Sequence, residues 1–317
     1  MAQVVLVHGI AQQQRSADSL ERDWLPDLAG GVRIAGYPQI ADRLWRTSGQ
    51  PGGIVSRMAF YGDLFLTPGR QGPDDADFSD EQRRFAERLA QEWLQRAMIR
   101  SSRPQDQHIA EVELAYLQAE LAQEQGPREL VRKAVTSVAR IPWFARLGMN
   151  AAQLVSRSLG QVTRYLTEDA LREQVLGRVA EHLDDDTLVL LGHSLGSVVA
   201  FEATQRLSRP LPLLITLGSP LGLRTIIYER LRPQPPTYPP RVQRWVNIAD
   251  PNDLVAAEPD LTDLFGQSVP EGCQLEGHHT VDNGAKPHAP HFYLVKRQTG
   301  QPIGQTLTDN PPPALER

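Results

Sequence analysis

The 317-residue chain holds a single cysteine, Cys273. One thiol excludes a disulfide within the chain and fits a reducing compartment. No apolar stretch in the sequence approaches the ~18 residues that a membrane-spanning helix requires. Basic excess is missing too. Lys and Arg number 33 against 38 Asp and Glu, a formal net charge of −5, so nucleic acid is not an expected partner. The first apolar run opens at Val4. Nothing ahead of it has the length of a charged leader with an apolar core, so no signal peptide is expected and the predicted location is cytoplasmic. Internal repeats are absent. The chain is 40% hydrophobic, enough for a sizeable core. Its length suits one large domain, or one domain with a cap.

What is present is a series of short apolar runs separated by helical patterns. Val4-Val5-Leu6-Val7 ends in His8-Gly9-Ile10. Residues Val55 to Leu66 contain a strand centred on Met58 to Tyr61. Leu188 to Leu191 follows the turn-forming Asp184-Asp185-Asp186 and reads as a buried parallel strand. Leu213 to Leu217 stops at Gly218-Ser219-Pro220, Val242 to Ile248 runs into a turn with Asp250 and Asp253, and Cys273 to Val281 gives one weak strand. Ser19 to Ala29 reads as a helix, with Leu20, Trp24, Leu25 and Leu28 on one side and Gly30-Gly31 as its stop. Thr167 is the expected N-cap of a helix carrying Leu171, Val175, Val179 and Leu183. A final helix opens within His288 to Arg297.

Between strand and crossover helix the character changes. Phe85, Leu89, Trp93 and Ala97 recur every four residues, and further stripes run on to Val162, interrupted at Pro142. The prediction is an α/β fold with a mostly parallel sheet flanked by helices. Its core takes residues 1–73 and 167–304, an all-helical cap is inserted at 74–166, and 305–317 form a flexible tail.

The most informative stretch is Gly192-His193-Ser194-Leu195-Gly196. An apolar strand precedes it, and Val198, Val199, Ala200 and Phe201 follow as a helix. A small-residue turn satisfies the same five letters. The strand before and the helix after are the context that makes Gly-x-Ser-x-Gly a nucleophile elbow. A sharp turn strains the serine, and glycines on both sides let strand and helix close around it. The Ser194 hydroxyl then stands at a helix head, where free amides and the dipole favour negative charge.

In open parallel sheets the carboxyl ends of the strands converge on one crevice. With His8-Gly9, the elbow and a later acid and histidine all at such ends, the chain resembles the α/β-hydrolase superfamily. Within it the chain is similar to the lipase and esterase group with a Gly-His-Ser-x-Gly elbow. It lacks two leading antiparallel strands and the longer glycine run of some esterases. The resemblance implies the order Ser, acid, His. Asp253, ahead of Leu-Val-Ala, is the first choice of acid, and Asp250, at the strand end before Pro251, the second. The one outside the triad would cap its own turn. His288 closes a loop similar to the family's histidine loop and is the first choice of base; His291 is the second. The His278-His279 pair beside Asp282 stays open as base or polar loop, and its metal reading has no second spaced cluster behind it. His193 points away, and His8 supports the oxyanion loop. The amides of Leu195 and Ile10, with Gly9 as second choice, would hold the oxyanion. Neither metal nor organic cofactor is implied.

The implied activity is that of a serine esterase or lipase on a carboxylic ester with a lipophilic acyl or alcohol part. A thioesterase or amidase on the same triad remains open, as does a non-catalytic scaffold binding a ligand or partner through its cap. Trp143, Phe144, Leu147 and Met149 gather around Pro142 and Gly148, as a lid over an apolar pocket would. The same helical surface could make peripheral contact with lipid.

Overall fold

A computed structural model describes residues 2–66, 78–121, 127–145, 151–256 and 258–310. The chain opens with β1 (Val4–Val7), α1 (Ala17–Ile34), α2 (Pro38–Trp45), β2 (Ser56–Ala59) and a 3-10 turn at Gly62–Phe65. Five helices come next: α3 (Asp80–Arg100), α4 (Pro104–Leu121), α5 (Pro127–Ala139), the short α6 (Pro142–Ala145) and α7 (Ala151–Thr167). Then follow α8 (Asp169–Ala180), β3 (Val189–His193), α9 (Leu195–Thr204), β4 (Leu211–Leu217) and β5 (Val242–Ala249). The chain closes with α10 (Thr262–Phe265), β6 (Gln274–Thr280), α11 (Pro290–Leu294) and α12 (Arg297–Asp309).

The strands form one six-stranded sheet in the order β2-β1-β3-β4-β5-β6, with every pairing parallel. Alternate residues of each strand face opposite layers. Val5, Val7, Leu190 and Leu214 meet Phe85 and Trp93 of α3, Leu159 of α7, Val175 of α8 and Phe201 of α9. Val4, Leu6, Leu191 and Ile215 meet Trp24 and Leu28 of α1, Leu44 of α2 and Ile303 of α12. Burial on both faces is why the strands read as unbroken apolar runs rather than as alternation. Each fully buried Val or Leu contributes ~1.5–3 kcal/mol. The buried stripes of the helices between β2 and α8 run on into the layer that covers one face of the sheet. Among the described residues, no helix is long and apolar enough to cross a membrane.

Several boundaries differ from those expected. Helix α1 continues through Pro26 and past Gly30-Gly31 to Ile34. The carbonyl that loses its partner at Pro26 belongs to exposed Arg22, and the glycines are contact points rather than a stop. A Cβ on Gly31 would lie 2.3 Å from the Leu294 carbonyl, and one on Gly300 2.1 Å from the Gly31 carbonyl. The crossover helix is capped at Glu168, not Thr167. The Thr167 hydroxyl is occupied in the last turn of α7, where it donates to the Thr163 carbonyl at 2.7 Å. Strand β2 ends at Ala59, before the Phe60 and Tyr61 expected at its centre. Within His288 to Arg297, where one final helix was expected to open, two helices open: α11 at Pro290, with proline in the first turn where its missing N–H costs nothing, and α12 at Arg297. Residues 305–309, assigned to the tail, are the last turns of α12, anchored by buried Leu307. The remainder from 311 lies outside the described residues.

Candidate active site

The order of the strands turns at β1 and β3: the chain steps outward from β1 to β2, then returns to β3 on the other side. Open sheets leave a crevice beyond the strand ends at such a point. His8-Gly9-Ile10 leaves β1 there, and Ser194 leaves β3. Ser194 has φ 55° and ψ −130°, in the left-handed half of φ that side chains disfavour. The turn is tight because its glycines allow it. A Cβ on Gly192 would come within 2.4 Å of the Gly196 carbonyl, and one on Gly196 within 2.3 Å of the Val7 and His8 carbonyls. Behind Ser194, the Ser197 hydroxyl donates to the Ser194 carbonyl at 2.5 Å and meets the Ser219 hydroxyl at 2.7 Å.

Three groups distant in sequence meet at this turn. Ser194 Oγ lies 2.9 Å from His288 Nε2. His288 Nδ1 lies 2.8 Å from Asp253 Oδ2. The Asp253 Oδ1 accepts the amides of Val255 at 3.0 Å and Ala256 at 3.3 Å. Burial alone would push the Asp253 carboxyl up. The His288 charge and its hydrogen bond, then the bonds from Tyr293 and the Val255 amide, outweigh burial and hold it below the usual carboxylate range. An ionised carboxylate only accepts, so Nδ1 donates to it and Nε2 is left to accept the Ser194 O–H.

The other candidates have different partners. Asp250 caps its own turn: its carboxylate accepts the Asn252 amide at 2.7 Å and the Asn283 amide at 2.5 Å. The second bond ties the strand-end turn to the loop that carries His288. His291 is exposed in the first turn of α11 and lies tilted against Phe292, 4.2 Å between ring centroids. His279 pairs with Glu276 at 2.7 Å and His278 lies 3.8 Å from Asp260, both on β6 or beside it. Among the described residues, no group of three His, Cys, Asp or Glu side chains is placed to hold a metal ion. His193 is buried and turned from the Ser194 hydroxyl, and its Nε2–H donates to the His288 carbonyl at 2.9 Å. Burial, with the His288 charge, lowers His193 to about 3, so it stays neutral at physiological pH.

His8 is likewise buried and lowered to about 4, chiefly by desolvation. Its Nδ1 donates to the Gly9 carbonyl at 2.7 Å and its Nε2 accepts the Tyr61 amide at 3.2 Å. That pair of bonds requires the neutral Nδ1–H tautomer. The Tyr61 hydroxyl in turn donates to the His8 carbonyl. Gly9 packs against the serine, since a Cβ there would stand 2.8 Å from Ser194 Cβ. Among the described residues, the amides of Ile10 and Leu195 meet no acceptor.

A cavity of about 250 Å³ opens over Ser194 and His288, with Ile10, Trp24, Trp93, Phe144 and Val255 in its walls. Phe144 lies on Trp93 at 5.7 Å between ring centroids. Trp143 of α6 donates its indole N–H to the Asn252 carbonyl at 2.9 Å, next to the Asp253 turn. Leu147 and Met149 lie outside the described residues. Two neighbours of the site, Tyr293 and Gln161, were given no role by the sequence reading, whereas the end of the second strand at Tyr61 was expected to face the site. Tyr293 donates to Asp253 Oδ2 at 2.8 Å and accepts the Asp250 amide at 2.9 Å. Tyr61 braces the His8 loop, and Gln161 of α7 accepts the Ala11 amide at 2.8 Å. Comparison with family models, with curated proteins and with solved structures gave no match for the chain.

Proposed function

We propose that this protein is a serine hydrolase of the α/β-hydrolase kind that cleaves a carboxylic ester with a lipophilic acyl or alcohol part. The observation that carries the reading is the unbroken hydrogen-bond chain from Ser194 through His288 to Asp253. His288 takes the Ser194 proton as Oγ attacks the ester carbonyl carbon. Asp253 holds the ring and offsets the charge of the imidazolium. The free Ile10 and Leu195 amides receive the negative oxygen of the tetrahedral intermediate, each such donor contributing ~3–4 kcal/mol to the transition state. His288 returns the proton to the leaving alcohol, and an acyl group remains on Ser194. Water, deprotonated by the same ring, then releases the acid and restores the serine.

The aromatic and aliphatic walls of the cavity support a lipophilic substrate. A fluorophosphonate probe is expected to label the wild-type chain, with the adduct mapped to the Ser194 peptide by mass spectrometry. Absence of labelling, or a label elsewhere, would sink the reading. Across p-nitrophenyl esters, kcat/KM is expected to rise about fourfold per methylene, the value of one buried CH₂, until the cavity is filled. A profile flat in chain length would remove the lipophilic part of the proposal.

Tyr293 is the group that deepens the acid's role. Burial, then the Asp253 charge, raises its hydroxyl well above the ordinary tyrosine range, so it remains a donor. Tyr293→Phe removes one bond to a buried carboxylate and leaves the Asp250 amide without its acceptor. The expected cost is ~1.5–3 kcal/mol of stability at neutral pH, with a several-fold lower kcat. The pH sign follows from Asp253. Its depressed folded value gives stability that is present above the unfolded value, ~3.9, and lost as pH falls through the folded one. Removing a lowering bond shrinks that contribution, so the deficit of the variant should narrow in acid. Urea unfolding at pH 7 and pH 3 measures it; a deficit that widens in acid contradicts the assignment.

A further inference from the structure

We infer that Gln161 of α7 is a positioning residue for the oxyanion donor, holding the Ile10–Gln12 loop in the conformation that leaves the Ile10 amide free. The inference rests on the serine-hydrolase reading and adds to it a residue from the helical insertion. Among the described non-glycine residues, only Ser194 and Ala11 have positive φ, and that of Ala11 is 61°. An L side chain at this φ crowds its own carbonyl, so the conformation persists only where neighbours hold it.

The neighbours are visible on every side of the loop. The carbonyl of His8 accepts from the Tyr61 hydroxyl. That of Gly9 accepts from His8 Nδ1 at 2.7 Å, and that of Ile10 from Gln12 Nε2 at 3.1 Å. In a trans peptide the C=O and N–H point in opposite directions. With the Gly9 carbonyl turned to the His8 ring, the Ile10 N–H faces the other way, and Ile10 and Gly9 line the cavity with Ser194. The next amide, Ala11, is the one taken from outside the loop. Gln161 Oε1 accepts it at 2.8 Å, and Gln161 is only 3% exposed. Without that acceptor, the half-buried Ala11 amide is left unpaired within the protein, and relaxation to negative φ turns the Ile10–Ala11 peptide and drags the Ile10 amide with it.

The test compares Gln161→Met with the wild type in p-nitrophenyl ester turnover and in inhibition by a trifluoromethyl ketone, which binds Ser194 as a tetrahedral adduct. Complete loss of one oxyanion donor lowers kcat about 10²- to 10³-fold. For a displaced donor the expected loss in kcat is about 10- to 100-fold, with KM within about threefold. The ketone should weaken by the same factor. Gln161→Glu retains an oxygen at the same reach and should recover most of kcat. Ala11→Gly in the Gln161→Met background should also recover it, because glycine adopts positive φ without support. A packing role alone predicts neither recovery. Should Gln161→Met fail to fold, Gln161→Asn withdraws the acceptor by one methylene and should show the same kcat loss. Unchanged kcat in either folded variant, or a loss that Ala11→Gly leaves in place, overturns the inference. A wild type without turnover or fluorophosphonate labelling fails at the earlier step, the hydrolase reading itself.

Discussion

Asp253→Asn is expected to lower kcat about 10⁴-fold with KM little changed, and to lower stability at neutral pH because the contribution of the depressed carboxylate is lost. The reason lies in which way the new amide must sit. Asp253 Oδ1 accepts two backbone amides, from Val255 and Ala256, and only an oxygen can take that place. The asparagine NH₂ therefore replaces Oδ2, facing His288 Nδ1. An NH₂ group donates, so Nδ1 must become the acceptor and the ring proton moves to Nε2. That nitrogen then presents a hydrogen to Ser194 Oγ and cannot take its proton. Tyr293, which donates to the same Oδ2, meets a second donor and must turn to another acceptor. Asp250→Asn is the matched control. Asp250 accepts only backbone amides and touches neither Ser194 nor His288, so its substitution should cost stability and only a few-fold in kcat. Steady-state ester hydrolysis of the two variants decides between the acids. A larger loss in Asp250→Asn would exchange their roles.

The tight turn at Ser194 was legible because every requirement of it is local. A strand, two glycines and a helix within some fifteen residues determine a strained serine, and the structure has that strain at Ser194. The parallel sheet was legible for a similar reason, since strands buried on both faces leave short apolar runs. The acid and the histidine were not readable from their own surroundings. Asp250 and Asp253 both end one strand, and four histidines crowd the last part of the chain; only resemblance ranked them. What separates them is tertiary: Asp250 is drawn to Asn283 across the loop, and Asp253 is covered by Tyr293.

Helix ends were misread where glycine serves close approach rather than termination. Gly31 lies against the chain at Leu294, more than 200 residues away in sequence. Helix α2 was missed although Ile40, Ala41 and Leu44 bury one side of it after Pro38, because only two turns are present. Gln161 left a trace that can be recognised afterwards. Ser158, Gln161 and Tyr165 fall at helical spacing on one face of α7, so two polar residues stand among the apolar residues of that helix. Both face the site: Ser158 lines the cavity and Gln161 holds the Ala11 amide.

Arg172→Met is expected to destabilise the fold by ~3–5 kcal/mol. Arg172 and Glu202 are each 1% exposed, and the guanidinium meets the carboxylate through Nε and Nη2. Arg172 Nε meets Glu202 Oε2 at 2.8 Å, and its Nη2 bonds Glu202 Oε1 and, at 2.7 Å, the Arg230 carbonyl. Glu202 also accepts the Tyr165 hydroxyl at 2.5 Å and the Arg232 amide at 2.8 Å. One carboxylate thus joins α7, α8, α9 and the loop before β5. Removing the arginine alone leaves a buried charge with two neutral donors, which desolvation penalises heavily. Glu202→Gln alone leaves the opposite charge uncompensated and should cost a comparable amount. The double variant Arg172→Met/Glu202→Gln removes both charges, yet retains an acceptor for Tyr165 and Arg232. It should be well above the sum of the two single losses, with a coupling of a few kcal/mol from urea unfolding. Simple additivity would mean that the pair does not act as a unit. Because Glu202 lies on the helix that starts at Ser194, and Tyr165 on the helix that carries Gln161, the same carboxylate joins the helix behind Ser194 to the helix that holds the Ala11 amide. The kcat of folded Arg172→Met should therefore fall alongside that of the Gln161 variants, whereas a pair with no such link would lower stability and leave kcat per folded molecule untouched.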